Sequence, residues 1–98
     1  PYAYIFINGM RFIANHGHNL SEKQKLSLAS RYHAKLFITG HTHIASLEQA
    51  NGTVFLNPGS PSMSKMPNGL KTIAILKDNL LEILDIETGK AIFSHNLD

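Results

Sequence analysis

The chain has 98 residues, 43% of them apolar, enough for one modest core, so a single domain, or part of one, is expected over residues 1–98. Its formal charge of +2 comes from scattered Lys and Arg without a basic run, which argues against a specific nucleic-acid partner. The lack of cysteine excludes disulfides and thiolate metal cages.

No apolar stretch approaches the ~18 residues of a membrane-spanning helix, and the start lacks the charged-then-apolar pattern of a signal peptide. A soluble, cytoplasmic protein with no membrane partner is expected. The sequence opens Pro1-Tyr2-Ala3-Tyr4, without an initiator Met, and enters strand-like sequence at once, so a start inside a larger fold is expected.

Tyr2 to Ile7 is apolar and aromatic, Asn8-Gly9 accepts the positive φ angles of a type I′ turn, and Met10 to Ala14 follows. These make a β-hairpin. Its second strand hands on to Asn15-His16-Gly17-His18. Ser21 as N-cap and Gln24 three residues on form a capping box, predicting a helix from about Glu22 to His33. Leu26, Ala29 and Tyr32 or His33 share one face, leaving Lys23, Lys25 and Arg31 for solvent. Lys35 to Thr39 is a short apolar run after a helix, as in a buried parallel strand.

The resulting βαβ unit brings both strand ends to one edge of the sheet, so His16 and His18 face the crevice that receives His41 and His43. Ile44 to Gln49, the turn Ala50-Asn51-Gly52, and Thr53 to Leu56 form a second hairpin leading into Asn57-Pro58-Gly59-Ser60. Residues 61–69, with two prolines and two of the three methionines, read as a loop. Strands near 71–76, 81–86 and 91–95 form an antiparallel meander, turning at Asp78-Asn79 and Glu87-Thr88-Gly89.

Six histidines carry the chemical signal. In a regular strand, His41 and His43 would face opposite sides; both reach one site only if the backbone turns between them, as Gly40 permits. His16 brings a third imidazole to the same edge. For His18, a loop histidine touching solvent or a phosphate oxygen is as good a reading as metal ligation. His33 reads as a cation at the helix C-terminus and His95 as a strand residue. Asn51-Gly52-Thr53 matches a glycosylation acceptor but reads better as a hairpin turn, and Asn57 reads better as a turn former than as a ligand.

His16-Gly17-His18, Gly40-His41-Thr42-His43 and Asn57-Pro58-Gly59-Ser60, in this order and spacing, resemble the carboxyl-terminal half of calcineurin-like metallophosphoesterases. The small bacterial and archaeal YfcE-type phosphodiesterases are most similar. The resemblance covers essentially the whole chain. It implies an α/β (α+β) fold: the carboxyl-terminal half of a four-layer β-sandwich flanked by helices, one βαβ unit plus antiparallel hairpins. It implies two divalent metal ions, manganese first, with zinc, nickel or iron as alternatives. His16 and His41 would ligate one ion and His43 the other, with His18 and the 57–60 loop on the substrate side.

The same resemblance calls for an amino-terminal half bearing an Asp-x-His pair, a bridging aspartate and an asparagine beside an acid/base histidine, none of which is in this chain. The implied activity is therefore hydrolysis of a phosphodiester by two-metal-activated hydroxide. This chain supplies the histidine half, contains no catalytic acid or base, and is inactive alone. The expected partners are the amino-terminal half or a companion chain, together with self-association through surfaces that half would cover. A non-catalytic interaction module, as in the retromer subunit that resembles phosphoesterases, is the alternative.

Overall fold

A computed structural model describes residues 2–16 and 20–97. Its order is β1 (Tyr2–Ile7), β2 (Met10–Asn15), α1 (Glu22–Arg31), β3 (Leu36–Thr39), β4 (Ser46–Ala50), β5 (Thr53–Asn57), β6 (Thr72–Lys77), β7 (Leu80–Asp85) and β8 (Ala91–Asn96). This is the expected mixed α/β arrangement, with two sheets and, among the described residues, one helix. The chain divides into two compact units, residues 1–41 with 47–56, and residues 42–46 with 57–98. Among the described residues no helix is long and apolar enough to cross a membrane.

In the first unit the strands run in the order β1-β2-β3-β5-β4. Strand β1 pairs antiparallel with β2, and β3 pairs parallel with both β2 and β5. The predicted βαβ unit is therefore present. Asn8 and Gly9, at φ 52° and 76°, make the first hairpin turn, and Asn51 and Gly52, at 52° and 81°, make the second. Both have the positive-φ pair of a type I′ turn, whose twist matches that of paired strands.

Ser21 caps α1 as predicted: its Oγ accepts from Gln24 N at 3.1 Å while Gln24 Oε1 accepts from Ser21 N at 2.8 Å. The helix ends at Arg31, two residues before the expected His33. The chain closes there in a Schellman motif, with Ala34 N donating to Ala29 O and His33 N to Ser30 O. This puts His33 just past the cap at φ 53°, where glycine is the usual occupant.

One apolar layer holds α1 to the sheet. The rung Ile13–Phe37–Phe55 runs across β2, β3 and β5. Ile13 and Phe37 are fully buried with Ala29 and Ala34, and Leu20, Leu28 and Tyr32 pack against them. Phe37 and Phe55 stack at 5.6 Å. Burying a side chain the size of Phe37 contributes about 1.5–3 kcal/mol, so this rung is a large part of what secures the crossover. The neighbouring rung Phe12–Leu36–Val54 is buried too, which is why β3 reads as a continuous apolar run.

The second unit carries the antiparallel sheet β6-β7-β8, within a residue or so of its predicted bounds. Leu81, Ile83 and Leu97 form its buried apolar positions. Asp85 is buried but engaged in its own turn, its carboxylate accepting from Glu87 N and Thr88 Oγ1, each at 3.0 Å.

Candidate metal centre

Strands β2 and β3 stay in register to the rung Asn15–Thr39. One further bond, Gly40 N to His16 O at 3.1 Å, carries the pairing past both strand ends. That bond sets His16 beside the Gly40-His41 corner. His41 then takes φ 75°, a conformation that crowds a Cβ against the backbone. The two exposed rings meet edge to face, centroids 5.1 Å apart, with His41 Nδ1 and His16 Nε2 at 3.2 Å. Two lone pairs cannot share that contact unaided, so one nitrogen carries a proton, or a cation takes its place.

The spacing passes a simple test for a shared ion. Two imidazole nitrogens each ~2.1 Å from one ion lie ~3.0 Å apart at a right angle and ~3.4 Å apart at the tetrahedral angle. The observed 3.2 Å falls between. The donors present are nitrogens. Among the described residues no three His, Cys, Asp or Glu side chains gather as a ready-made cage.

His43 lies in the second unit, and that unit fixes its ring. Nδ1 donates to Met63 O at 2.9 Å; a carbonyl only accepts, so the proton sits on Nδ1 and the neutral ring's lone pair on Nε2. Ligating histidines are commonly oriented in this way, by donating the other ring N–H to a fixed acceptor. The Met63 carbonyl is positioned in turn by Ser60, whose buried Oγ accepts from Met63 N at 2.8 Å and Ser62 N at 3.3 Å.

Between the two histidines, Thr42 Oγ1 accepts from Ile44 N at 3.2 Å and from Asn57 Nδ2 at 2.8 Å. The buried Asn57 also accepts from Gly59 N at 3.0 Å, making the turn expected of it. Its bond to Thr42 was not legible in the sequence, since it joins residues 15 apart across two loops. These contacts hold His43 at φ 59°. They also displace the start of β4 to Ser46, two residues beyond the expected Ile44, because residues 43–45 are bound to the 63–66 segment through Lys65 N to His43 O and Ala45 N to Met66 Sδ.

The 57–60 loop owes its shape to Gly59. At φ 78°, a Cβ there would overlap Thr72 Oγ1, which donates to Pro58 O at 2.7 Å, and would press on Ala45. The structure therefore brings His16 and His41 together and orients His43 two residues further along the chain. His18, the expected substrate-side residue, lies outside the described residues. Sequence reasoning missed Thr42 and the Met63 carbonyl as supports; a hydroxyl between two histidines was the available hint for the first.

In the first unit, a parallel strand pair ends in two facing imidazoles, a nitrogen-donor pair at a strand end. Residues 2–79 match the calcineurin-like phosphoesterase superfamily domain, and the chain belongs to that family. It is 29% identical over 87 residues to a probable metallophosphoesterase of Mycoplasma pneumoniae, covering 82% of this chain and 55% of that protein.

Among solved structures, the E. coli phosphoesterase YfcE superposes with a TM-score of 0.81 at 19% identity, over all of this chain and 52% of the other. Vps29 of Entamoeba histolytica, solved in complex with zinc, gives 0.78 at 20% identity, over 99% of this chain and 61% of the other. These structural likenesses establish the fold. The chain spans about half the length of the curated relative it matches.

Proposed function

We propose that this chain is the histidine-bearing, carboxyl-terminal part of a metal-dependent phosphodiesterase, and that it requires an amino-terminal half or companion chain for activity. The observation that carries the reading is the His16 Nε2–His41 Nδ1 contact at 3.2 Å, with the strand-end pairing that produces it. His16 and His41 would hold one divalent ion. His43, its lone pair directed to Nε2 by the Met63 carbonyl, would hold a second.

When bound, such ions supply Lewis acidity toward phosphoryl oxygens and a lowered pKa for coordinated water. The chain's own residues do the positioning: Gly40 N–H locks the corner to His16, Thr42 and Asn57 brace the turn, and Ser60 seats the carbonyl that fixes the His43 tautomer. His18 is assigned to the substrate side. Manganese is the first choice of metal, and zinc, nickel or iron suit the same nitrogen donors. A cytoplasmic setting accords with the lack of cysteine.

The likeness to Vps29 proteins favours a second reading, an interaction module on the same fold. Calorimetric titration of the chain with manganese and with zinc separates the two. The enzyme reading expects saturable binding, weakened tenfold or more by His16→Ala and by His41→Ala, with circular dichroism unchanged. Wild-type binding matched by both variants would overturn the ligand assignment.

A further inference from the structure

We propose that Met66 is a positioning residue: its thioether sulfur latches the arm that carries His43, and so keeps that ring in the tautomer with its lone pair on Nε2. The inference deepens the reading of His43 as a ligand and rests on it. Every contact it uses lies within the second unit, residues 42–46 with 57–98.

Three bonds tie residues 43–45 to the 63–66 segment: His43 Nδ1 to Met63 O at 2.9 Å, Lys65 N to His43 O at 3.0 Å, and Ala45 N to Met66 Sδ at 3.2 Å. The first two use a backbone carbonyl and a backbone N–H, which do not depend on the side chains at 63 and 65. The third depends on one side chain. Ala45 is 5% exposed, and a buried N–H needs an acceptor. Among the described residues that acceptor is the sulfur.

Ala45 is also set against the 57–60 loop: a Cβ on Gly59 would come within 3.1 Å of Ala45 Cβ and 3.2 Å of Ala45 N. At the start of the arm, Thr42 Oγ1 accepts from Asn57 Nδ2 at 2.8 Å. His43, at φ 59°, is therefore held between two anchored residues, Thr42 and Ala45. Sulfur is a weak acceptor, so the Met66 latch is the weakest of these anchors and the one that a single side-chain change removes. Removing it leaves a buried N–H that regains a partner only if the arm moves. A moved arm lengthens the contact from His43 Nδ1 to Met63 O, and the ring then loses what holds its proton on Nδ1.

The competing account is that Met66 only fills space, as methionine often does. Two substitutions separate the accounts. Met66→Leu keeps the apolar bulk and removes the acceptor, whereas Met66→Asn gives up bulk but places Oδ1 as many bonds from Cα as Sδ. Hydrogen exchange at the Ala45 amide and the ring nitrogen shifts of His43 are measured by NMR on the metal-free chain. Met66→Leu should speed exchange at Ala45 by about tenfold or more, with Ile83 in β7 unchanged, and should erase the Nδ1–H signature of His43. Met66→Asn should stay near wild type in both readouts. The reverse order, or a wild-type His43 protonated on Nε2, would overturn the proposal. Neither readout needs a bound ion, so a chain that fails to take up manganese or zinc counts against the ligand assignment alone.

Discussion

Replacing Gly59 by alanine tests how the 57–60 loop is held. The residue sits at φ 78°, and an added Cβ would occupy the space of Thr72 Oγ1. The left-handed conformation alone costs a non-glycine residue about 1–2 kcal/mol. Alanine recovers part of that, about 0.4–1 kcal/mol, by restricting the unfolded chain. The overlap is the larger effect. Thr72 is 1% exposed and its hydroxyl donates to Pro58 O at 2.7 Å; rotating it away leaves a buried polar group unpaired, at about 1–3 kcal/mol.

Together these give a loss of about 3 kcal/mol, which for a domain of this size is a large share of the total stability. Gly52→Ala is the internal reference: its φ is 81°, but nothing lies within 4 Å of the added Cβ, so it should cost about 1 kcal/mol or less. Urea unfolding followed by circular dichroism measures both. Combining Gly59→Ala with Thr72→Ala should be less than additive, because removing Oγ1 relieves the overlap. A Gly59→Ala variant no more destabilised than Gly52→Ala, or a fully additive double variant, would mean that the Thr72 hydroxyl does not constrain the loop.

Ser21→Ala removes an N-cap and breaks a capping box, and should lower stability by about 1 kcal/mol in the same assay; no change would mean that the box contributes nothing in the folded chain. Asn57→Ala deletes the bonds to Thr42 Oγ1 and Gly59 N from a buried site. It should cost about 2–3 kcal/mol, whereas Asn57→Asp, which keeps the acceptor for Gly59 N, should cost less. Equal losses for the two would remove the turn from the account.

Local chemistry made much of the fold legible. The Ser21/Gln24 box and the Asn8-Gly9 and Asn51-Gly52 turns act over a few residues, and the βαβ unit shows as two apolar runs flanking a helical stretch; all are present as read. His16 also meets the His41 corner, as parallel strands ending on one rung allow, while His18, expected at the same crevice, lies outside the described residues. What escaped the sequence depends on partners far along the chain. The positive φ at His41 and His43 lies beside contacts from Asn57 to Thr42 and from Met63 to His43. No local signal announces those contacts, and they also shift the start of β4. The end of α1 escaped for a related reason: its left-handed residue is His33, and the usual glycine cue is missing.

The claim that this chain holds the histidine half of a two-ion phosphodiesterase centre is tested most directly by reconstitution. Manganese-dependent hydrolysis of bis-p-nitrophenyl phosphate should be measured on the chain alone, and again with an amino-terminal phosphoesterase half supplied. The expected result is no turnover from the chain alone and turnover from the pair that is lost with His41→Ala. Turnover by the isolated chain, or no metal binding and no turnover in either preparation, would contradict it.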